Sequence, residues 1–280
     1  MTLYLGAFQT PVCTCLEDLA PFLDTAASHA EPTFWLFPEL FYGGFDYEQR
    51  LRWAAENQDL LVRLQDFCDQ TGHALAGSFW ERRDNALYNS LYVVSGEHPR
   101  PQRIYSKLHL FPGVDESRYF TPGEPCPRPV TWRGLRIGGA ICFDLRFPEL
   151  FRLQSRQDMD LFAVAGQWAQ TRLPHWRRLL TARAIETQAY MLAANAVGET
   201  PFGHLPGYSC LVSPWGKLVF SCHRGPRAVR APFDPDLVRR ARRLFTTRDT
   251  PHFVIAGRAG KGCPDEREPL GPVRAGPDSP

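Results

Sequence analysis

Residues 135–147 read Leu-Arg-Ile-Gly-Gly-Ala-Ile-Cys-Phe-Asp-Leu-Arg-Phe, and Pro148 follows. An apolar run of strand length ends on Cys142 and turns polar at once. It then hands over to a proline, a residue suited to the first turn of a helix because that position needs no N–H. Strand followed directly by helix is the building unit of an α/β protein. A side chain at such a strand exit is presented where open α/β sheets place their ligands.

The same punctuation recurs outward from this segment. Short apolar runs bounded by Gly, Pro, Asn or Asp predict strands over 4–9, 33–37, 73–79, 90–94, 103–105, 160–165, 191–197, 209–212 and 218–221. Helices are expected over 16–29, 59–71, 148–155, 174–190 and 235–244. Leu60, Leu61, Leu64 and Phe67 share one face of the second of these. Residues 80–88 and 213–217 read as connections of hairpins. No internal repeat and no linker interrupts the first 256 residues, so one domain over 1–256 is expected. From Gly257 to Pro280, ten of 24 residues are Gly or Pro, and a disordered tail is expected there.

Composition narrows the function classes. Apolar residues make up 44% and charged residues 22%, the balance of an ordinary globular chain. The net charge of +2 argues against a general nucleic-acid binder. The Arg-rich stretch 224–248 is broken by Asp234, Asp236 and prolines and reads as a solvated helix face. No apolar run reaches membrane-span length, and no Lys or Arg precedes Arg50, so a cytoplasmic protein with no membrane or nucleic-acid partner is expected. Eight cysteines without a C-x-x-C pair fit reduced thiols rather than a disulfide scaffold or a zinc site. Only three of the 32 basic residues are lysines: Lys107, Lys217 and Lys261.

Several residues stand out chemically. Glu39 ends the apolar run Thr33–Pro38, where burial would raise a carboxylate's pKa towards that of a general base; a helix cap or a surface acid is the plainer alternative. Lys107 lies among alternating apolar residues in RIYSKLHLF, either buried or with its stem on the surface and its head in water. Glu116 lies in a turn-rich loop. Cys142 is a nucleophile candidate, with the backbone N–H of Phe143 behind it as an oxyanion donor, or else a buried thiol. No histidine has the placing of a papain-type partner; His109, two residues from Lys107, comes nearest. Arg146 fits either a substrate carboxylate or an ion pair with Asp144 or Glu149. Trp168 is a pocket wall or core packing. Arg183 and Glu186, three apart on a helix, read as a structural pair.

PEL after a hydrophobic strand, Y-x-K-x-H-L-F, and CFDLRFPEL resemble, in order and spacing, the three signature blocks of the nitrilase (carbon–nitrogen hydrolase) superfamily. The separations are 68 residues from Glu39 to Lys107 and 35 from Lys107 to Cys142. ESRYFTPG, HWRRLLTARAIETQAY and GYSCLVSPWGKLV extend the resemblance over about residues 3–232. It implies a single-domain, four-layer α-β-β-α sandwich, a homodimer or higher homo-oligomer, and no metal or organic cofactor. It also implies that Glu39 is the general base, Lys107 the catalytic lysine, Cys142 the nucleophile and Glu116 the glutamate that positions Lys107. The pattern is most similar to the omega-amidase and Nit-type amidase branch, whose substrates are small-molecule amides such as 2-oxoglutaramate. N-carbamoyl amino acid hydrolysis, a deaminated-glutathione-type amidase and a non-catalytic protein of the same fold are the alternatives. Phe143 stands where the family has Tyr, and the segment GQWAQTRLP departs from both branches.

Overall fold

The computed structural model describes residues 2–125, 127–244 and Thr247. The end of the domain at 256 and the Gly/Pro-rich tail lie outside the described residues. The first half of the chain runs β1 (Tyr4–Gln9), α1 (Leu16–Ala27), β2 (Thr33–Leu36), α2 (Arg50–Thr71), β3 (Ala74–Arg83), β4 (Ala86–Ser95) and β5 (Gln102–Ser106). The short α3 (Glu116–Tyr119) leads to β6 (Val130–Trp132), β7 (Leu135–Ile141), α4 (Pro148–Ser155), β8 (Leu161–Gly166), α5 (Leu173–Thr187) and β9 (Tyr190–Asn195). The hairpins β10 (Val197–Thr200) with β11 (Gly203–Pro206) and β12 (Cys210–Val212) with β13 (Leu218–Ser221) follow. The edge strand β14 (Arg227–Pro232) and α6 (Pro235–Leu244) come last.

Two six-stranded mixed sheets result, in the orders β14-β1-β2-β3-β4-β5 and β13-β12-β9-β8-β7-β6. Each is centred on three parallel strands joined by helices, β1-β2-β3 in one and β7-β8-β9 in the other. The helical connections leave one face of each sheet free, and those faces pack on each other, β1 against β9 and β12, and β4 and β5 against β7. The outer faces are covered by α1 and α2 on one side and by α4 and α5 on the other. This is the α-β-β-α sandwich. Aromatic side chains fill the outer layer beneath α1 and α2, where Phe8 stacks on Trp35 with ring centroids 4.5 Å apart.

The segment that opens the sequence reading is folded as expected, with β7 over the predicted residues and Pro148 at the head of α4. Its two glycines are needed for packing. A Cβ on Gly139 would lie 2.2 Å from Leu91 Cδ2 on the facing sheet and 2.8 Å from the Ala163 carbonyl oxygen. On the other face, Gln154 of α4 brackets Gly139 by accepting from its N–H and donating to its C=O, both at 2.9 Å.

The differences from expectation have local causes. Helix α2 begins at Arg50 rather than at residue 59. Its first turns bury Trp53 and Asn57, and the Asn57 amide donates to the Tyr42 carbonyl while accepting from the Trp80 N–H at 3.3 Å. A buried polar residue breaks the apolar period there. Strand β14, written RAVRAP, pairs antiparallel with β1 and carries Arg230 over the Tyr4 ring at 4.1 Å. The run expected over 191–197 divides between β9 and β10 at Ala196, whose N–H donates to Gly166. Strands β6 and β11 and helix α3 were not expected at all.

The close approach at Gly139 gives a stability test. Gly139→Val should force the sheets apart and destabilise the protein by about 1–3 kcal/mol, a typical overpacking cost. Urea unfolding followed by circular dichroism measures it, and an unchanged midpoint would contradict the packing described.

Candidate active site

The strand ends converge at one edge of the sandwich. After β2 the chain continues through Phe37 and Pro38 to Glu39. There Leu40 takes a positive φ of 40° and donates its N–H to Ser78 Oγ, which ends the strand direction. Glu39 is fully buried. Lys107 follows β5 directly and is held in place by its own N–H, which donates to the Asn89 carbonyl at 2.8 Å. Glu116 begins α3, and its Oε2 accepts from the Phe111 N–H at 3.1 Å.

The Lys107 ammonium joins these segments. Nζ donates to Glu39 Oε1 at 2.7 Å and to Glu116 Oε1 at 2.6 Å, with all three side chains essentially buried. Burial alone would favour the neutral amine, but the charges of Glu116 and Glu39 outweigh it and hold the Lys107 pKa well above its ordinary value. Burial raises the pKa of Glu116, against the opposing pull of Lys107. Asn89 Nδ2 also donates to Glu39 Oε1, at 2.9 Å, and the Gln167 N–H donates to Oε2 at 3.2 Å.

Cys142 stands beside this cluster at the exit of β7. Its φ is +43°, a left-handed value that costs a non-glycine residue about 1–3 kcal/mol. Burial pushes its thiol pKa well up, helped by the charges of Glu39 and Glu116 and opposed by Lys107. At neutral pH it rests as a thiol with a carboxylate at hand. Phe143 is the next residue in the 3-10 turn Cys142–Arg146, whose leading N–H groups have no acceptor within the turn.

The turn is fastened to the lysine's strand by Asp144. This buried carboxylate accepts from Tyr105 Oη at 2.8 Å, from the N–H groups of Leu108 and His109 at 3.2 and 2.9 Å, and from His109 Nδ1 at 2.6 Å. Tyr105 Oη in turn accepts from the Ile141 N–H at 2.5 Å. His109 is thus tied to Asp144 and stacked on Phe147, with centroids 3.5 Å apart, and is not a partner of Cys142.

A cleft opens over Cys142, with about 520 Å³ of empty space that is partly continuous with solvent. Glu39 and Glu116 lie at its inner end, and Phe45, Phe111, Phe143, Trp168 and Phe202 form much of its wall. Trp168 belongs to both readings made from the sequence, since it is 3% exposed, packs on Trp176 and faces the cavity. Arg146 lines the cavity too, 4.7 Å over the Trp168 ring, and makes no ion pair with Asp144 or Glu149 among the described residues. Arg183 and Glu186 do pair, at 3.0 Å.

Sequence reasoning missed Asn89, Gln167 and Arg172, and gave Asp144 a place only as an ion-pair partner of Arg146. Asn89 is the one amide in the strand ALYNSLYVVS, and Gln167 follows a strand end as Cys142 does; these were the available signals. Among the described residues no three His, Cys, Asp or Glu side chains form a metal-holding group. No helix among them is long and apolar enough to cross a membrane. The six cysteines described as thiols are free, and the α6 arginines Arg239 and Arg240 pair with Asp236 and Asp234.

Comparison with known proteins gives the same picture. The sequence pattern of the carbon-nitrogen hydrolase family matches residues 15–243. The chain is 31% identical over 215 residues to the 2-oxoglutaramate amidase of Bacillus subtilis, covering 76% of this chain and 82% of that protein. It is 35% identical over 185 residues to the omega-amidase YafV of Escherichia coli, covering 66% and 70%. Among solved structures, a CN-hydrolase superfamily protein from Xanthomonas campestris with an arsenic adduct in its active site superposes with a TM-score of 0.83. It shares 24% identity and covers 91% of this chain and all of its own. On the matched span and these identities, the chain belongs to the carbon-nitrogen hydrolase family and is a hydrolase of carbon–nitrogen bonds.

Proposed function

We propose that this enzyme is a cysteine amidase that cleaves the ω-amide of a small carboxylic acid, of the 2-oxoglutaramate type, to the acid and ammonia. The observation that carries the reading is the Lys107 ammonium. An ammonium has three N–H donors, and two are taken by Glu39 and Glu116. The third has no acceptor among the described residues and serves the oxyanion.

Glu39 takes the Cys142 proton as sulfur attacks the amide carbon. The oxyanion of the tetrahedral intermediate is held by Lys107 and the Phe143 N–H, donors already in position before charge develops. Glu39 then passes the proton to the leaving ammonia, and a thioester remains. Water, activated by Glu39, hydrolyses it, so one difficult cleavage becomes two easier ones. Glu116 fixes the ammonium's direction. Arg146, laid over Trp168, binds the carboxylate at the far end of the acyl chain. The names of the amidase relatives support the substrate class. A cytoplasmic homodimer completes the reading, with the exposed apolar side chains of Ile185, Trp215, Leu218 and Val219 available for subunit contact.

Three outcomes follow. Cys142→Ala should abolish ammonia release from 2-oxoglutaramate while leaving the thermal unfolding midpoint within a few degrees; residual turnover at the wild-type rate would rule out the covalent route. Lys107→Arg keeps the charge but replaces a point donor with a planar fork. It should lower kcat by about 10²–10³, the loss typical of one oxyanion donor, in protein shown folded by circular dichroism. The third concerns pH. Glu116 must be ionised to hold Lys107, and its pKa is raised from the ordinary 4.5. The wild-type kcat/KM should therefore rise with pH through a limb displaced towards neutrality. Glu116→Gln should lower the plateau and move that limb to more acidic pH, which a pH–rate profile reads directly.

A further inference from the structure

The outer end of the cavity carries a charge pattern that the steps above do not fully use. Arg172 closes the 3-10 turn Gln170–Arg172, in the stretch that departs from both amidase branches. Its backbone carbonyl accepts from Trp168 Nε1 at 2.7 Å, which pins this turn to the pocket wall. Its guanidinium lies 5.0 Å over the Phe111 ring, while Arg146 lies over Trp168 and Phe143 at 4.7 and 5.7 Å. Both arginines line the cavity.

Neither guanidinium has a carboxylate partner among the described residues. The polar contact of Arg146 is the His175 ring, at 3.3 Å. The two cations are close enough that, after burial, the charge of Arg172 is what most lowers the Arg146 pKa. Like charges facing one partly buried space repel unless an anion joins them. The acids that line the cavity are Glu39 and Glu116, and both are already engaged by Lys107 at the inner end. The cavity is thus polarised, with one net negative charge inside and two positive charges outside. A single anion at the outer end neutralises it.

We propose that Arg172 acts with Arg146 as a two-guanidinium clamp on one substrate carboxylate, one oxygen to each guanidinium. Arg172 is then a specificity-determining residue for acyl chains that end in an anion. The aromatic rings beside both side chains restrict where the two guanidiniums can lie, which favours a clamp formed before the substrate enters. The proposal rests on the amidase reading for its substrate but not for its test.

The test uses binding, which needs no turnover. In the Cys142→Ala protein, calorimetry measures the affinity for glutarate and for its neutral diamide. Adding Arg172→Gln should raise the glutarate Kd by about 10- to 100-fold, the range for losing one charge-assisted contact, and change the diamide Kd less than about twofold. Arg172→Lys should lie between. Arg146→Gln combined with Arg172→Gln should cost less than the two losses multiplied, because both act on one carboxylate. Failure of glutarate to bind the Cys142→Ala protein overturns the clamp. So does an unchanged glutarate Kd with Arg172→Gln, or an equal loss for acid and diamide, which would make Arg172 a structural part of the wall. Ammonia release by the wild-type enzyme is assayed in parallel. If no amide is cleaved while glutarate binding still depends on Arg172, the amidase reading fails and the clamp stands.

Discussion

One ammonium held between two buried carboxylates sets the terms for the structure around it. Three charged groups removed from water are tolerable only when their geometry is good and their remaining hydrogen-bonding positions are filled. Here they are filled from four directions. Asn89 donates to Glu39 Oε1, the Gln167 N–H to Oε2, and the Phe111 N–H to Glu116 Oε2, while Lys107 bridges the acids. Take away the ammonium and two like charges face each other in a space with little water. Take away either acid and the ammonium loses part of what keeps it charged. The segments after β2, β5 and β8 and the start of α3 must therefore meet, and that requirement ties both sheets to one edge of the sandwich.

The turn that carries Cys142 is held by a third buried acid with a different task. Asp144 carries four donors and makes no ion pair with an arginine among the described residues. Its donors come from residues 105–109, the stretch that carries Lys107, so the position of Cys142 is referred to that of the lysine. The strained φ of Cys142 is sustained from both sides: Tyr105 Oη receives the Ile141 N–H before the turn, and Arg183 Nη2 donates to the Leu145 carbonyl within it, at 3.2 Å. The Arg183–Glu186 pair predicted from helical spacing is thus also a brace for the Cys142 turn.

What the sequence made legible follows from how local each signal is. Strand β7 and the proline-led α4 could be placed because periodicity and capping act over a few residues. Glu39, Lys107 and Cys142 stood out because each is a costly or reactive group at the end of an apolar run. The first turns of α2 were hidden because their buried residues include Asn57, whose partners lie 15 and 23 residues away. Strand β14 was hidden because an edge strand can carry arginines, and its pairing with β1 spans almost the whole chain. The acyl pocket was hardest to read. Its wall is drawn from segments as distant as Phe45 and Phe202, and no short window contains that adjacency.

The two ends of the cavity are served by different cations. The proposed clamp uses arginine at the outer end because a guanidinium can lie flat on an aromatic ring and still present a fork to a carboxylate. The inner end needs something else. In the proposed mechanism two donors meet two carboxylate oxygens at 2.6 and 2.7 Å, and a third points out of their plane towards the oxyanion. The donors of a guanidinium are coplanar, so satisfying both acids would leave none directed at an oxyanion above them. A tetrahedral ammonium has that third direction. In a chain that uses arginine for nearly every other positive charge, the retention of lysine at position 107 follows from the geometry of one nitrogen.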